Sequence, residues 1–151
     1  MGSGIAWRLH TAGFNKIILL DTETPLAVRR TVCFSEAVYD GQKTVDGIHS
    51  YLAKNNDDLD SLIQENIIPV VIDPKWQLIQ KRKPTVVIDA ILAKSNLGTS
   101  KVDAPLVLGL GPGFTGGKDV HAAIETQRGC DCGRVLYNSS PHENTGVPEA
   151  V

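Results

Sequence analysis

Residues 85–113, TVVIDAILAKSNLGTSKVDAPLVLGLGPG, hold two short apolar runs separated by a mixed segment. The runs at residues 85–88 and 106–110 are rich in β-branched residues and leucine and contain no charged residue. Such runs are typical of strands in a parallel sheet whose two faces are both covered by other parts of the protein. This stretch therefore predicts an α/β fold.

Three further segments are similarly apolar, although two of them begin with a basic residue, Lys16 or Arg134. These segments are residues 16–20, 69–72 and 134–137. Helical patterns lie between several of the strands. Apolar residues recur at helical spacing from Ile5 to Ala12, and Gly13 then provides a stop. A second helix is predicted to begin with Asp57 as its cap, and a third to end before Pro84. The alternation predicts a Rossmann-like parallel sheet with flanking helices.

The chain contains no internal repeat and no low-complexity linker, which predicts one domain over residues 1–138. Residues 139–151 offer few anchoring side chains and are predicted to form a tail or a truncated continuation. Two segments are less regular. Residues 27–38 fit a helix with an apolar face, and residues 43–48 look like a strand.

The composition is that of an ordinary globular protein. Of the 151 residues, 42% are hydrophobic and 21% are charged, and the net charge is -2. This charge gives no general attraction to DNA or to anionic membranes. No apolar run reaches the roughly 20 residues of a membrane-spanning helix, and the start of the chain lacks the pattern of a signal peptide. We therefore expect a cytoplasmic protein that binds neither nucleic acid nor membrane.

Three acidic residues and a glycine-rich turn follow predicted strands. They are Asp21, Asp73 and Asp89, and Gly109, Gly111 and Gly113. Ligands of open α/β sheets bind beyond the carboxyl ends of the strands, so these residues would form a polar pocket if gathered on one edge. An aspartate can instead simply end a strand, and this alternative is favoured for Asp73, which precedes Pro74. The glycines fit either a close approach to a ligand or a tight turn.

The segment Gly2-Ser3-Gly4 leads directly into the first predicted helix, where backbone N–H groups can bind an anion. In dinucleotide-binding motifs an acidic residue stands about 20 positions later and contacts a ribose hydroxyl. Asp21 fits that place. A strand should precede such a turn, and only Met1 precedes it here.

The segment at residues 109–119, GLGPGFTGGKD, is not a phosphate-binding P-loop. That motif requires glycine where this chain has Pro112, and serine or threonine where it has Asp119. Basic side chains could still bind an anion, and arginine suits bidentate phosphate binding. The candidates are Arg29, Arg30, Lys94, Lys118, Arg128 and Arg134. Only one of the two adjacent arginines is expected to face a pocket.

The three cysteines, Cys33, Cys130 and Cys132, are expected to be reduced thiols, since their number is odd and no secretion signal is visible. Cys130 and Cys132 could supply half of a metal site with His121 or His142. No second cysteine pair exists, however, and an incidental exposed pair is the favoured interpretation. The sequence therefore assigns no metal ligand and no catalytic residue.

Five blocks of the chain resemble, in order, the YqeB family of the selenium-dependent molybdenum hydroxylase system, which is related to the XdhC group of molybdenum cofactor maturation proteins. The blocks are GSGIAWRLHTAGF at residues 2–14, PLAVRRTVCFSEAVYDG at 25–41, IPVVIDP at 68–74, VVIDAILAKSNLGT at 86–99 and APLVLGLGPGFTGGKDVHAAIETQRG at 104–129. RRTVCFSEAVYDG and GLGPGFTGGKDV are the specific parts. The resemblance covers nearly the whole chain.

The resemblance implies a Rossmann-like maturation protein, a molybdopterin-type cofactor as ligand and a molybdenum hydroxylase apoenzyme as partner. Proteins of the related XdhC group bind the cofactor, protect it and pass it on. Its phosphate would here meet the helix start at Gly4, a basic side chain such as Arg29 or Arg30, and the turn at residues 109–113. The sequence leaves homo-oligomerisation open.

The chain departs from that family in three respects. Members begin with a strand and a GGGD turn before the segment seen here as Gly2-Ser3-Gly4, and they continue beyond residues 145–148. We therefore expect the first strand to be missing and the chain to be a fragment. Cysteine is not expected at the three cysteine positions. Two alternatives stay open: an NAD(P)-binding oxidoreductase-like protein, for which no Tyr-Lys or comparable pair stands out, and an inactive truncated fragment.

Overall fold

Eight strands lie in residues 1–143, the part of the chain that the computed structural model describes, and they form two four-stranded sheets. The chain divides correspondingly into two units, Met1–Gln77 and Leu78–Val151. In each sheet three neighbouring strands are parallel and the fourth is antiparallel. The predicted α/β class is confirmed, with the strands divided between two sheets instead of lying in one. A single folding domain over residues 1–138 stays a prediction.

The first unit contains four strands and three helices. They are α1 (Gly2–Thr11), β1 (Leu19–Asp21), α2 (Ala37–Asp40), β2 (Gln42–Val45), β3 (Ile48–Leu52), α3 (Asn56–Gln64) and β4 (Ile68–Ile72). The strands have the order β1-β4-β3-β2. The core of this unit consists of buried Ala6, Phe34, Val45, Ile48 and Ile68.

The strand predicted at residues 43–48 is in fact part of a β-hairpin. Strand β2 ends at Val45 and β3 begins at Ile48. Between them, Asp46 and Gly47 have φ angles of 48° and 80°. Two-residue turns with positive φ at both positions are the preferred hairpin connection, and Asp-Gly is their strongest sequence signal. The single-strand prediction was wrong because it passed over this turn.

The helix predicted over residues 27–38 is also wrong. The segment forms two 3-10 turns, Arg30–Val32 and Phe34–Glu36, with Cys33 extended between them at φ -117° and ψ 119°. The Phe34 side chain is fully buried. Packing of this ring in the core therefore overrides the weak helical preference of the segment.

The helix predicted to begin at Asp57 is confirmed as α3, but its cap is a different residue. The Asn55 side chain accepts a hydrogen bond of 2.9 Å from the Asp58 N–H. Asp57 instead lies in the first turn, where its negative charge complements the helix dipole.

The second unit contains β5 (Val86–Asp89), β6 (Leu106–Leu110), β7 (Ala122–Ile124) and β8 (Val135–Leu136), in the order β5-β6-β7-β8. Helix α4 (Gln77–Arg82) contains the boundary between the units. Strand β7 was not predicted because its apolar run is short and rich in alanine. The core of this unit consists of buried Ala104, Val107, Phe114, Val120 and Ala123.

The sequence predicted strands that are buried on both faces. Strand β4, which lies inside its sheet, fits this prediction better than β1 and β5 do. Each of the latter stands at one end of its sheet. All three residues of β1 are partly exposed, and Val86 of β5 is 42% exposed. The apolar runs alone do not distinguish an inner strand from an outer one.

Residues 139–142 form neither a helix nor a strand, but hydrogen bonds anchor them to the second unit. Their assignment to a tail or a truncated continuation stays a prediction. The Gly116 N–H donates to the Ser139 carbonyl at 3.0 Å. The Thr115 and Ser140 hydroxyls lie 2.9 Å apart. The rest of the predicted tail, residues 144–151, lies outside the described residues. Within residues 1–143, no helix has the length and apolar character needed to cross a membrane.

Candidate functional site

Asp21 ends strand β1 and is partly exposed. One carboxylate oxygen accepts a hydrogen bond of 2.8 Å from the Thr22 N–H. The other accepts a short hydrogen bond of 2.5 Å from the Ser35 hydroxyl. The Asp21 carboxylate is therefore tied to the second of the two 3-10 turns.

The start of helix α1 contacts the same segment. The Ser3 hydroxyl accepts a hydrogen bond of 3.0 Å from the Phe34 N–H and lies 3.5 Å from the Cys33 sulfur, to which it donates. No side chain caps this helix, so the N–H groups of its first turn are left for another partner. A Cβ added to Gly4 would meet no atom within 4 Å. The helix start predicted at Gly2 and Gly4 and the Asp21 carboxylate thus flank residues 33–35.

The two adjacent arginines have different surroundings, and the prediction that only one of them faces a pocket stays a prediction. Arg30 is held by Glu36, with its Nε 2.8 Å from Oε2 and an ion pair of 2.7 Å, and it lies 5.3 Å from the Tyr39 ring centroid. The Arg30 hydrogen bond holds the pKa of the Glu36 carboxyl below its usual range. Arg29 is exposed. Arg29 is therefore the better candidate for binding an anion.

Asp73 lies on the same edge as Asp21, since its N–H donates to the Asp21 carbonyl at 3.0 Å. Asp89 stands in the other unit, at the end of β5, opposite Gly109 of β6. The predicted gathering of three acids and a glycine turn on one edge is therefore divided between two sheets. The reason is that β1 and β4 pair with each other while β5 pairs with β6.

Asp89 is buried, with 7% of its surface exposed, and both its oxygens are used locally. They accept hydrogen bonds of 3.0 Å from the Ile91 N–H and 2.6 Å from the Thr99 hydroxyl. These bonds close the loop that follows β5. Lys94 is exposed on that loop, and its φ of 62° is unusual for a residue with a side chain.

The glycines at 109, 111 and 113 fit closely against this chain's own atoms. A Cβ on Gly109 would lie 2.4 Å from the Phe114 ring, and one on Gly111 would lie 2.8 Å from the Thr126 hydroxyl. One on Gly113, which has a φ of 101°, would lie 2.6 Å from the Ser95 Cα. The tight-turn interpretation therefore accounts for these positions without a ligand.

The second unit also contains a buried carboxylate that the sequence reasoning did not single out. Glu125 follows β7 and is 2% exposed. It accepts hydrogen bonds from the N–H groups of Thr126, Gln127 and His142 at 2.7–2.8 Å and from the His142 ring at 2.8 Å. Its signal was visible, because an acid after an apolar run is the pattern that pointed to Asp21 and Asp89.

Burial raises the pKa of Glu125, but hydrogen bonds from Gln127, His142 and Thr126 outweigh it and leave the pKa below its usual range. The carboxylate is therefore ionised at neutral pH, and the His142 Nδ1 must be the donor in their contact. His142 itself is 65% exposed. This pair orients the imidazole ring.

The cysteines have different surroundings in the two units. Cys130 and Cys132 are exposed, and Cys33 is partly buried beside Ser3. The candidate metal partner His121 accepts from the Val107 N–H at 2.9 Å through its Nδ1. Within residues 1–143, no group of three or more His, Cys, Asp or Glu residues could hold a metal ion.

The chain is 49% identical over 148 residues to a protein of Escherichia coli (strain K12) that carries the name "Uncharacterized protein YqeB". The match covers 98% of this chain and 27% of that protein, so the chain spans about a quarter of its relative's length. No family model matches the chain. No solved structure matches it either.

Proposed function

We propose that this chain is part of a YqeB-family maturation protein that binds a molybdopterin-type cofactor for a selenium-dependent molybdenum hydroxylase. The observation that carries the proposal lies in the first unit. There the uncapped start of α1 and the Asp21 carboxylate are both hydrogen-bonded to residues 33–35. A positive helix end and a carboxylate on one loop suit a ligand that combines a phosphate with hydroxyl groups.

Each group in this arrangement has a role in the proposal. The N–H groups at Gly2, Ser3 and Gly4 bind the phosphate, and the open space at Gly4 lets it approach the backbone. The exposed Arg29 adds positive charge. Asp21 accepts a hydrogen bond from a ribose hydroxyl when the cofactor carries a nucleotide, replacing the one from Ser35.

The same arrangement suits a dinucleotide, so an NAD(P)-binding oxidoreductase-like protein is the second candidate. The two candidates make different demands on the ligand. A cofactor carrier should bind molybdopterin with or without its nucleotide, whereas a dinucleotide protein requires the two nucleotides.

The proposal is tested by calorimetric titration of the chain with molybdopterin, its nucleotide-extended form and NAD. We expect binding of both pterins, weakened about tenfold by Arg29→Ala, the worth of one charge-assisted hydrogen bond. Asp21→Asn should weaken only the nucleotide-extended form. Arg8→Ala, which removes an exposed arginine near the other end of α1, is the matched control and should change neither.

Delivery is measured by adding the loaded chain to hydroxylase apoenzyme and following the recovery of hydroxylase activity. The comparison is the recovery after addition of the same amount of free cofactor. Faster recovery with the loaded chain supports the proposed partner. Binding of NAD alone would establish the second candidate. An absence of binding to all three ligands would support the inactive-fragment alternative and overturn the proposal.

A further inference from the structure

The second unit contains a polar cavity of about 190 Å³ near the end of β7, which the proposed cofactor binding does not use. Its lining includes Arg134, Ser139, Ser140 and His142, with the buried Glu125 behind the histidine. Asp131 also faces it. A guanidinium, an imidazole and two serine hydroxyl groups thus line one small surface, together with two carboxylates.

Three chain segments form the walls of this cavity. The Glu125 N–H donates to the Arg134 carbonyl at 3.0 Å, which fixes the start of β8 beside the end of β7. The Gly133 N–H donates to the Glu125 carbonyl at 2.8 Å and closes the connection between the strands. Residues 139–142 return to the same place through their bonds to Gly116, Thr115 and Glu125. The cavity is therefore part of the folded unit, although several of its side chains are exposed.

Two hydrogen bonds to Glu125 fix the orientation of His142. Its backbone N–H and its Nδ1 both contact the same Glu125 oxygen at 2.8 Å, which fixes the main chain and the ring together. Because Nδ1 donates to the carboxylate, Nε2 is the ring nitrogen available to a ligand, and it is a second donor when the ring is protonated. Four donors satisfy the Glu125 charge, so this carboxylate repels an anion less than an unpaired one would.

Arg134 supplies the fixed positive charge. Its NH1 lies 3.0 Å from an Asp131 oxygen, and this ion pair is partly exposed on both sides. A guanidinium has five N–H donors, so this contact leaves others for a ligand. The Ser139 and Ser140 hydroxyls add neutral donors. Such a set recognises the oxygens of a tetrahedral oxyanion.

We propose that Arg134 and His142 bind a phosphate group in this cavity, carried either by inorganic phosphate or by a phosphate monoester. Asp131 opposes the binding and limits its strength, while Glu125 acts as a positioning residue. The site belongs to the second unit and does not rest on the cofactor binding proposed for the first.

The test titrates the chain with inorganic phosphate and with ribose 5-phosphate, following backbone and His142 ring signals by NMR. His142→Asn keeps a donor at the place of Nδ1 and removes Nε2, and Arg134→Gln changes an exposed side chain. Each should weaken phosphate binding about tenfold. Asp131→Asn should strengthen it a few-fold, since it removes the opposing charge. His49→Asn, at an exposed histidine of the first unit, should change nothing.

Tighter binding of ribose 5-phosphate would identify a monoester as the ligand, and equal binding would identify the phosphate alone. Phosphate-dependent shifts of the signals of residues 134–142 that persist in both Arg134→Gln and His142→Asn would show that these side chains do not bind the anion, and would overturn the proposal. Shifts at α1 alone report the first unit and do not count as support. The absence of any shift up to about 20 mM phosphate would overturn it too, because that concentration exceeds the dissociation constant of even a weak site.

Discussion

Asp21 and Glu125 have contrasting environments, although Asp21 ends the short strand β1 and Glu125 directly follows the short strand β7. Asp21 is partly exposed and is bound by one N–H and one hydroxyl. Glu125 is buried and is bound by three N–H groups and an imidazole. A ligand can replace a hydroxyl on a partly exposed carboxylate, whereas a saturated buried carboxylate organises the loops around it. The same sequence pattern therefore suits ligand binding in one unit and loop anchoring in the other.

The glycines repeat this contrast. Gly4 has open space where a side chain would stand, whereas the space at Gly113 is taken by the backbone of Ser95. An open glycine permits a ligand to approach the main chain, and a crowded one permits two segments of protein to meet. The contrast can be tested by substitution at matched positions.

Glu125→Ala should produce the largest loss of stability, about 3 kcal/mol or more, because it leaves several buried donors without an acceptor. Asp21→Ala should cost less than about 1 kcal/mol, since water can replace the lost contacts. Amide hydrogen exchange, read separately for β6 and β4, measures the effect in each unit. Equal losses for the two variants would contradict the comparison.

Gly113→Ala should cost at least about 2 kcal/mol, because alanine is disfavoured at positive φ and its Cβ meets the Ser95 main chain. Gly4→Ala should be neutral or stabilise by up to about 1 kcal/mol, since alanine favours helices and the space is open. Urea unfolding by circular dichroism checks both. A destabilised Gly4→Ala variant would show that the start of α1 is more crowded than its geometry indicates.

Much of the fold could be predicted from apolar runs and their ends. Strand β6 begins and ends where the sequence placed it, and β4 and β5 differ by a residue or so. The division into two sheets could not be predicted, because the partner of each strand depends on packing between distant segments. The β2–β3 hairpin could have been predicted, since the Asp-Gly signal lies between its strands.

The sequence predicted several residues of the candidate site but not how they are arranged. Asp21 and the start of α1 do share a loop, but the Arg30–Glu36 ion pair depends on the turns around Phe34 that no periodicity revealed. Glu125 was overlooked because β7 has only three residues. His142 stands far from Glu125 in sequence, and no spacing rule connects them.

The acid dependence of stability should also differ between the units. The pKa of Glu125 is lowered by backbone and His142 hydrogen bonds against the effect of burial, and that of Glu36 is lowered by Arg30. A lowered pKa contributes stability above the unfolded pKa of about 4.3 that is lost as pH falls through the folded value. Glu125→Gln should therefore flatten the acid dependence read in β6. High salt should flatten only the acid dependence of stability measured at the β4 amides. The reason is that Arg30, which lowers the pKa of Glu36, is exposed and therefore screened.

Substitutions of the cysteines should have the smallest effects on stability, and these effects should again differ between the exposed and the partly buried positions. Cys130 and Cys132 are exposed, so replacing both by serine should change stability by less than about 0.5 kcal/mol. Cys33 is partly buried and accepts from Ser3 at the candidate cofactor site, so Cys33→Ser should cost somewhat more, about 1 kcal/mol. Urea unfolding measures both losses, and metal analysis of protein purified without added zinc accompanies it. Stoichiometric zinc that disappears in the Cys130→Ser/Cys132→Ser variant would show that the exposed pair binds a metal. The double variant would then be expected to lose more stability than Cys33→Ser.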